Sequence, residues 1–208
     1  HTIRMVTGLF GWPIIDQVLS SLTNVWISVL AARSLPAEEF GEFGLAFAVY
    51  LIALAFTRTW TTEPFGILLA KRAPALRSAD VQGLCSLSAL IGLVSAAVVI
   101  CASPLFGEGT SDAMIVLAIA LPFLFLQDAL RLTMFVSGDG RGAAVNDAVW
   151  LTLAIIGGLT VHIGSPVTAV VVWAAGGAIG AALGLWQLNL RRLTGAFAWF
   201  RQCRSIGA

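Results

Sequence analysis

Six ionisable residues, Asp16, Arg58, Glu63, Asp128, Arg131 and Asp147, sit inside segments that are otherwise hydrophobic. A charge held in lipid costs several kcal/mol, about 2.5–3.5 on the insertion scale. Such side chains therefore face a bundle interior or a wet cavity. Carboxylates and guanidiniums at those positions can pair with one another, hold a translocated ion, or line a path for a charged solute. The chemistry to expect is transport across a membrane.

The elements that must position these residues are helices. Of the chain's 208 residues, 58% are hydrophobic and only 11% charged, against about 25% charged in an ordinary soluble domain. That charge is too little to cover a soluble surface of this size. The fold class expected is all-α, a polytopic membrane protein with six transmembrane helices. The spans are expected at Gly11–Ala32, Phe43–Ala70, Leu84–Ser103, Ala113–Val136, Ala143–Ile163 and Pro166–Leu190. Turn chemistry separates them at Leu35-Pro36, Ala73-Pro74, Ser103-Pro104, Ser137-Gly138-Asp139-Gly140 and Gly164-Ser165-Pro166.

Loop charges predict the orientation. Arg4, Lys71, Arg72, Arg77, Arg141, Arg191, Arg192, Arg201 and Arg204 fall on one side and only Arg33 on the other, with Glu38, Glu39, Glu42, Glu108 and Asp112. The positive-inside rule then puts both termini in the cytoplasm. A signal-peptide reading of the first span, ending near Ala31-Ala32, conflicts with Asp16, Gln17 and Asn24 in its core. Residues 1–190 are expected to form the transmembrane unit. Residues 191–208 read as an interfacial helix against anionic cytoplasmic lipid, with Leu193, Ala196, Phe197 and Phe200 on its apolar face.

Cys85, Cys101 and Cys203 form no CxxC pair and His162 stands alone, so no metal site is expected. A catalytic His/Asp set, a metal-binding acidic motif and a nucleotide-binding loop are missing from the sequence. The chain is expected not to be an enzyme and to use no cofactor. Basic tracts interleaved with aromatics are also missing, which speaks against nucleic acid as a partner.

At 100° per residue, Asp16, Gln17, Ser20, Ser21, Thr23, Asn24 and Ser28 share one face of the first span, and Val18, Leu19, Leu22, Val25, Trp26 and Val29 lie on the other. That polar face reads as cavity wall, with interhelical hydrogen-bond glue as the plainer alternative. Arg58 is expected near the midplane and Glu63 closer to the cytoplasm, each with a partner on another helix. Pro64 is expected to kink the second span. Asp128 and Arg131, three apart, can pair on one face. With Asn146 and Asp147 they are expected to form a cytoplasmic polar network or gate that Asp16 joins, because these depths, and that of Glu63, match on spans of opposite direction. A structural salt-bridge lattice, with Arg131 snorkelling to the interface, is the plainer alternative. Gly176, Gly180 and Gly184 in the sixth span read as a packing ridge.

The run Asp16-Gln17-Val18-Leu19-Ser20-Ser21-Leu22-Thr23-Asn24 resembles the first helix of bacterial polysaccharide and lipid-linked-oligosaccharide flippases, of the multidrug/oligosaccharidyl-lipid/polysaccharide exporter superfamily. The block Leu30-Ala31-Ala32-Arg33-Ser34-Leu35-Pro36-Ala37-Glu38-Glu39-Phe40-Gly41 and the Gln127-Asp128, Arg131, Gly140-Arg141, Asn146-Asp147 and Trp150 positions are similar as well. The resemblance implies a six-helix amino-terminal lobe whose second six-helix lobe lies in the same or another chain. It implies flipping of a lipid-linked glycan across the bacterial inner membrane by alternating access, in the service of polysaccharide biosynthesis at the cell envelope. The substrate's pyrophosphate suits Arg58, a planar multi-donor cation. Asp16, Gln17, Asn24 and Glu63 are the accompanying substrate-binding or cavity-lining candidates, and H+ or Na+ the coupling ion. Two other readings fit the sequence: a cation-coupled drug or metabolite antiporter of the same superfamily, and a non-transporting scaffold subunit of a glycan-synthesis complex.

Overall fold

The computed structural model describes residues 2–71 and 78–204, with side chains for 11–66, 78–202 and 204. The Ala73-Pro74 break, Arg72, Arg77, the side chains of Arg4, Lys71 and Cys203, and residues 205–208 lie outside the described residues. The helices run α1 (Thr2–Ser34), α2 (Ala37–Trp60), α3 (Thr62–Lys71), α4 (Ser78–Ala102), α5 (Glu108–Val136), α6 (Gly140–Thr160), α7 (Pro166–Gln187) and α8 (Ala196–Arg204). A single 3₁₀ turn, Ser103–Leu105, joins α4 to α5. Six stretches are long and apolar enough to cross a membrane: Gly11–Ser34, Ala37–Gly66, Ser78–Leu105, Glu108–Val136, Gly140–Thr160 and Pro166–Gln187. The protein is an all-α polytopic membrane protein.

The helix boundaries follow local chemistry. Gly138 (φ 80°) closes α5 with a left-handed residue, and Asp139 N–H donates to Met134 O at 2.8 Å. That is the glycine-terminated pattern expected of a helix C-terminus. The Asp139 side chain then caps α6 by accepting from Gly142 N–H at 2.9 Å. Ser165 caps α7 through Thr168 N–H, with Pro166 at the first helical position. The second span differs from the kink expected at Pro64. The helix breaks outright at Thr61 (φ −120°, ψ −74°) and restarts at Thr62, which puts Pro64 in the first turn of α3. A first turn has no intrahelical acceptor for that N–H, so proline is tolerated there.

Helix α5 is the axis of the bundle. It packs against α4 and α7 along most of its length, and against α2 and α6 more briefly. Gly92 of α4 lets the backbone at Pro122 come close, since a Cβ there would lie 2.5 Å from Pro122 Cα. The glycine ridge of α7 acts similarly. Cβ atoms on Gly176 and Gly177 would collide with Trp150 and Leu124, and one on Gly180 would sit 2.9 Å from Asn146 Oδ1. Two apolar clusters result. One gathers Ile27, Phe43, Tyr50, Leu121, Phe125 and Trp173, and the other Phe65, Leu84, Leu130 and Trp199. The outward faces carry Val18, Leu22 and Val25 on α1, Ile52 and Phe56 on α2, Val94 and Val98 on α4, and Ile156 and Leu159 on α6, all exposed. Apolar faces turned outward suit a lipid environment.

Candidate functional site

Helices α1 and α2 meet at the Leu35–Phe43 end, where both residues are buried in the first cluster. Away from that end they leave a cavity of about 220 Å³ backed by α5 and α6. Helix α1 contributes Gln17, Ser20, Thr23 and Asn24, and α2 contributes Tyr50, Leu54 and Arg58. Gln127, Asp128 and Arg131 of α5 and Trp150 of α6 close the back. Gln17 and Leu51 are exposed, so the cavity reaches the surface between α1 and α2.

Arg131 organises the charged wall. Its Nη1 donates to Asp16 Oδ2 at 3.2 Å and to Asp147 Oδ2 at 3.1 Å, and its Nη2 to Asp128 Oδ1 at 3.3 Å. One guanidinium thus joins α1, α5 and α6. Arg58 grips Asp128 from α2 with two parallel bonds, Nε to Oδ2 at 3.0 Å and Nη2 to Oδ1 at 2.6 Å. This is the fork geometry that makes arginine–carboxylate pairs strong and directional. Asp128 Oδ1 is shared by the two arginines. The three carboxylates are buried, with Asp16 2%, Asp128 8% and Asp147 1% exposed. The Arg58 side chain is 41% exposed against 15% for Arg131. Arg58 is the cation on the cavity wall, and Arg131 the one behind it.

Neutral donors complete the network. Gln127 Nε2 donates to Asp147 Oδ1 at 3.0 Å and Asn146 Oδ1 at 3.2 Å. Asn146 Nδ2 donates to Gly180 O at 2.7 Å, so it bolts α6 to α7 at the glycine ridge. Asn24 Oδ1 accepts from Trp173 Nε1 at 3.2 Å. Asp16 Oδ1 is buried with no hydrogen-bond partner among the described atoms. Two guanidiniums face three carboxylates, a formal balance of −1 when all are ionised.

Asp16, Asp128, Arg131, Asn146 and Asp147 therefore come together in one neighbourhood, and Gln17, Asn24 and Arg58 line the adjoining cavity. Asp16, expected both as cavity lining and in this neighbourhood, is in the neighbourhood but behind the cavity wall, held by Arg131. Glu63 does not join: it is exposed, outside the cavity, and has no polar partner among the described residues. Five residues after Arg58 it points about 140° away at 3.6 residues per turn, and the break at Thr61 separates it further. The threonines around Arg58 are satisfied locally, Thr57 Oγ1 on Ala53 O at 2.7 Å and Thr61 Oγ1 on Thr57 O at 2.8 Å. Sequence reasoning missed Gln127 as a network member and Tyr50 and Trp150 as cavity wall. For Gln127 a signal existed, because it lies four residues before Arg131 and so on the same helical face. In comparisons with known proteins, no family model, no curated protein and no solved structure matches this chain.

Proposed function

We propose that this chain is the amino-terminal lobe of a membrane transporter that passes an anionic, lipid-linked glycan from the cytoplasmic to the outer leaflet of a bacterial inner membrane. The observation that carries the reading is the Arg58–Asp128 pair on the cavity wall. Arg58 is half-exposed and its fork is filled by a carboxylate. A phosphate oxygen pair presents the same planar, two-point acceptor and can replace Asp128 at that fork. Asp128 keeps a second cation in Arg131, so releasing Arg58 does not strand its charge. Gln17, Ser20 and Asn24 supply neutral hydrogen-bonding groups of the kind a sugar needs. A second six-helix lobe, in the same or another chain, would close the open side between α1 and α2. Both termini lie in the cytoplasm on the basic-loop bias.

The test is export in a flippase-deficient bacterial strain by the chain together with its second lobe, with membrane levels of the protein measured in parallel. Arg58→Ala abolishes export and leaves insertion intact. Arg58→Lys retains part of the activity, since an ammonium keeps the charge and loses the fork. Full activity in Arg58→Ala removes this residue from the substrate path.

A specific observation also favours the cation-coupled antiporter reading. The formal −1 of the buried network and the orphaned Asp16 Oδ1 leave room for one H+ or Na+. Asp16→Asn supplies a neutral carboxyl mimic at that position. Under this reading it uncouples transport from the ion gradient while Arg58 variants retain uptake or efflux of an uncharged solute. The two readings separate on whether transport fails with loss of Arg58 or is uncoupled from the ion gradient by loss of the Asp16 charge.

A further inference from the structure

We infer that the outward face of α8, with the segment leading into it, is a seat for anionic phospholipid headgroups. Helix α8 is clamped to the bundle by one side. Trp199 is 3% exposed, its ring sits 5.6 Å from that of Phe65, and its Cβ occupies the space a side chain at Gly83 would need. The approach is pinned by Ser86 Oγ donating to Thr194 O at 3.1 Å and Thr194 Oγ1 donating to Gln82 Oε1 at 3.1 Å. Phe200 rests against Trp60, ring centroids 5.7 Å apart. This differs from the apolar face expected of the sequence, because Trp199 defines the buried side and Phe197 lies on the other.

That other side pairs an aromatic with cations. Phe197 is 75% exposed, and Arg201 and Arg204, four and seven residues on, share its face. Arg191 and Arg192 are exposed in the approach. None of the four guanidiniums makes an ion pair among the described residues, and residues 188–204 hold no acidic side chain. The helix is fixed where α3 and α4 meet the ends of two membrane-crossing stretches, through Phe65 and Gly83. A rigidly held helix at that level, with an unpaired basic face and an exposed aromatic among the arginines, has the composition of an interfacial element on anionic lipid. The aromatic distinguishes a lipid from a soluble phosphate, since Phe197 gains burial only beside acyl chains.

The experiment compares the full chain in nanodiscs of phosphatidylcholine alone and of phosphatidylcholine mixed with phosphatidylglycerol. Native mass spectrometry then counts the lipids retained. The wild-type chain is enriched in phosphatidylglycerol, and raising salt erodes the enrichment without any mutation. Substituting Arg191, Arg192, Arg201 and Arg204 by Gln removes the enrichment, by roughly fivefold for each arginine at the surface. Phe197→Ser lowers retention of both lipids alike. An unchanged thermal midpoint in phosphatidylcholine shows the variants folded. Three results overturn the inference: equal retention of both lipids by the wild-type chain, unaltered enrichment in the four-Gln variant, and competition by inorganic phosphate that displaces phosphatidylglycerol.

Discussion

Arg131 is the residue on which the polar interior depends. Its guanidinium is the shared partner of Asp16, Asp128 and Asp147, three carboxylates from three helices. Removing one partner of a buried ionic network leaves charge without compensation, a loss of about 3–5 kcal/mol. Arg131→Leu is therefore expected to cut the membrane level of the protein sharply and to lower its thermal midpoint in detergent. Arg131→Lys is expected to fall between, because a compact ammonium cannot span three acceptors as a planar fork does. A midpoint unchanged in Arg131→Leu would show that the three aspartates are held without it. At this scale the sequence revealed depth better than direction. Asp128 and Arg131 are neighbours on one helix and their pairing could be read from spacing. The Arg58–Asp128 bond, seventy positions apart, depends on how α2 rotates against α5, which no local pattern encodes. Glu63 shows the same limit from the other side. Its depth resembled that of its neighbours, and the helix phase turned it outward.

At the scale of elements, helix contact is governed by missing side chains. Gly177 of α7 faces Leu124 and the Trp150 ring at a distance that admits no Cβ without a shift. Gly177→Leu is expected to force these helices apart at a cost of about 1–3 kcal/mol or more. A lower thermal midpoint and a lower yield of folded protein would report it. Gly41 of α2 provides the contrast, with nothing within 4 Å of the place a Cβ would take. Gly41→Ala is expected to stabilise by about 0.5–1 kcal/mol, the ordinary gain of removing glycine from a helix interior. Opposite signs from two helical glycines would confirm that packing, and not glycine content, sets the spacing. The ridge on α7 was legible, since four-residue spacing of small residues has a single geometric consequence. The break at Thr61 was less so. Pro64 signals an interruption, but a proline disturbs the turn before it, and the chain resolved that conflict by stopping α2 at Trp60.

At the scale of the molecule, span number and loop charge together predict which side each connection occupies. The six apolar stretches were visible in the order of apolar and turn residues, and the structure moves their limits by only a few residues, most at the start of the second, third and fourth spans. An even number of crossings puts the Ser137–Gly140 turn and the α7–α8 connection on one side, and the 3₁₀ turn at Ser103–Leu105 and the Val161–Ser165 connection on the other. By the positive-inside rule, Arg141 and the arginines at 191 and 192 lead us to expect the first side in the cytoplasm, and labelling tests that expectation. A single cysteine placed at Ser137, in a chain with Cys85, Cys101 and Cys203 replaced, is expected to react with a membrane-impermeant maleimide only after the cells are opened. One placed at Gly107 is expected to react in intact cells once the outer barrier is permeabilised. Moving the basic excess tests the cause: Arg141→Glu with Arg191→Glu and Arg192→Glu weakens the bias, and part of the population then inserts inverted, with the Ser137 position now labelled from outside. If Gly107 and Ser137 react from the same side in the unaltered chain, one of the six stretches does not cross, and the polar network around Arg131 would then lie at an end of the bundle open to water.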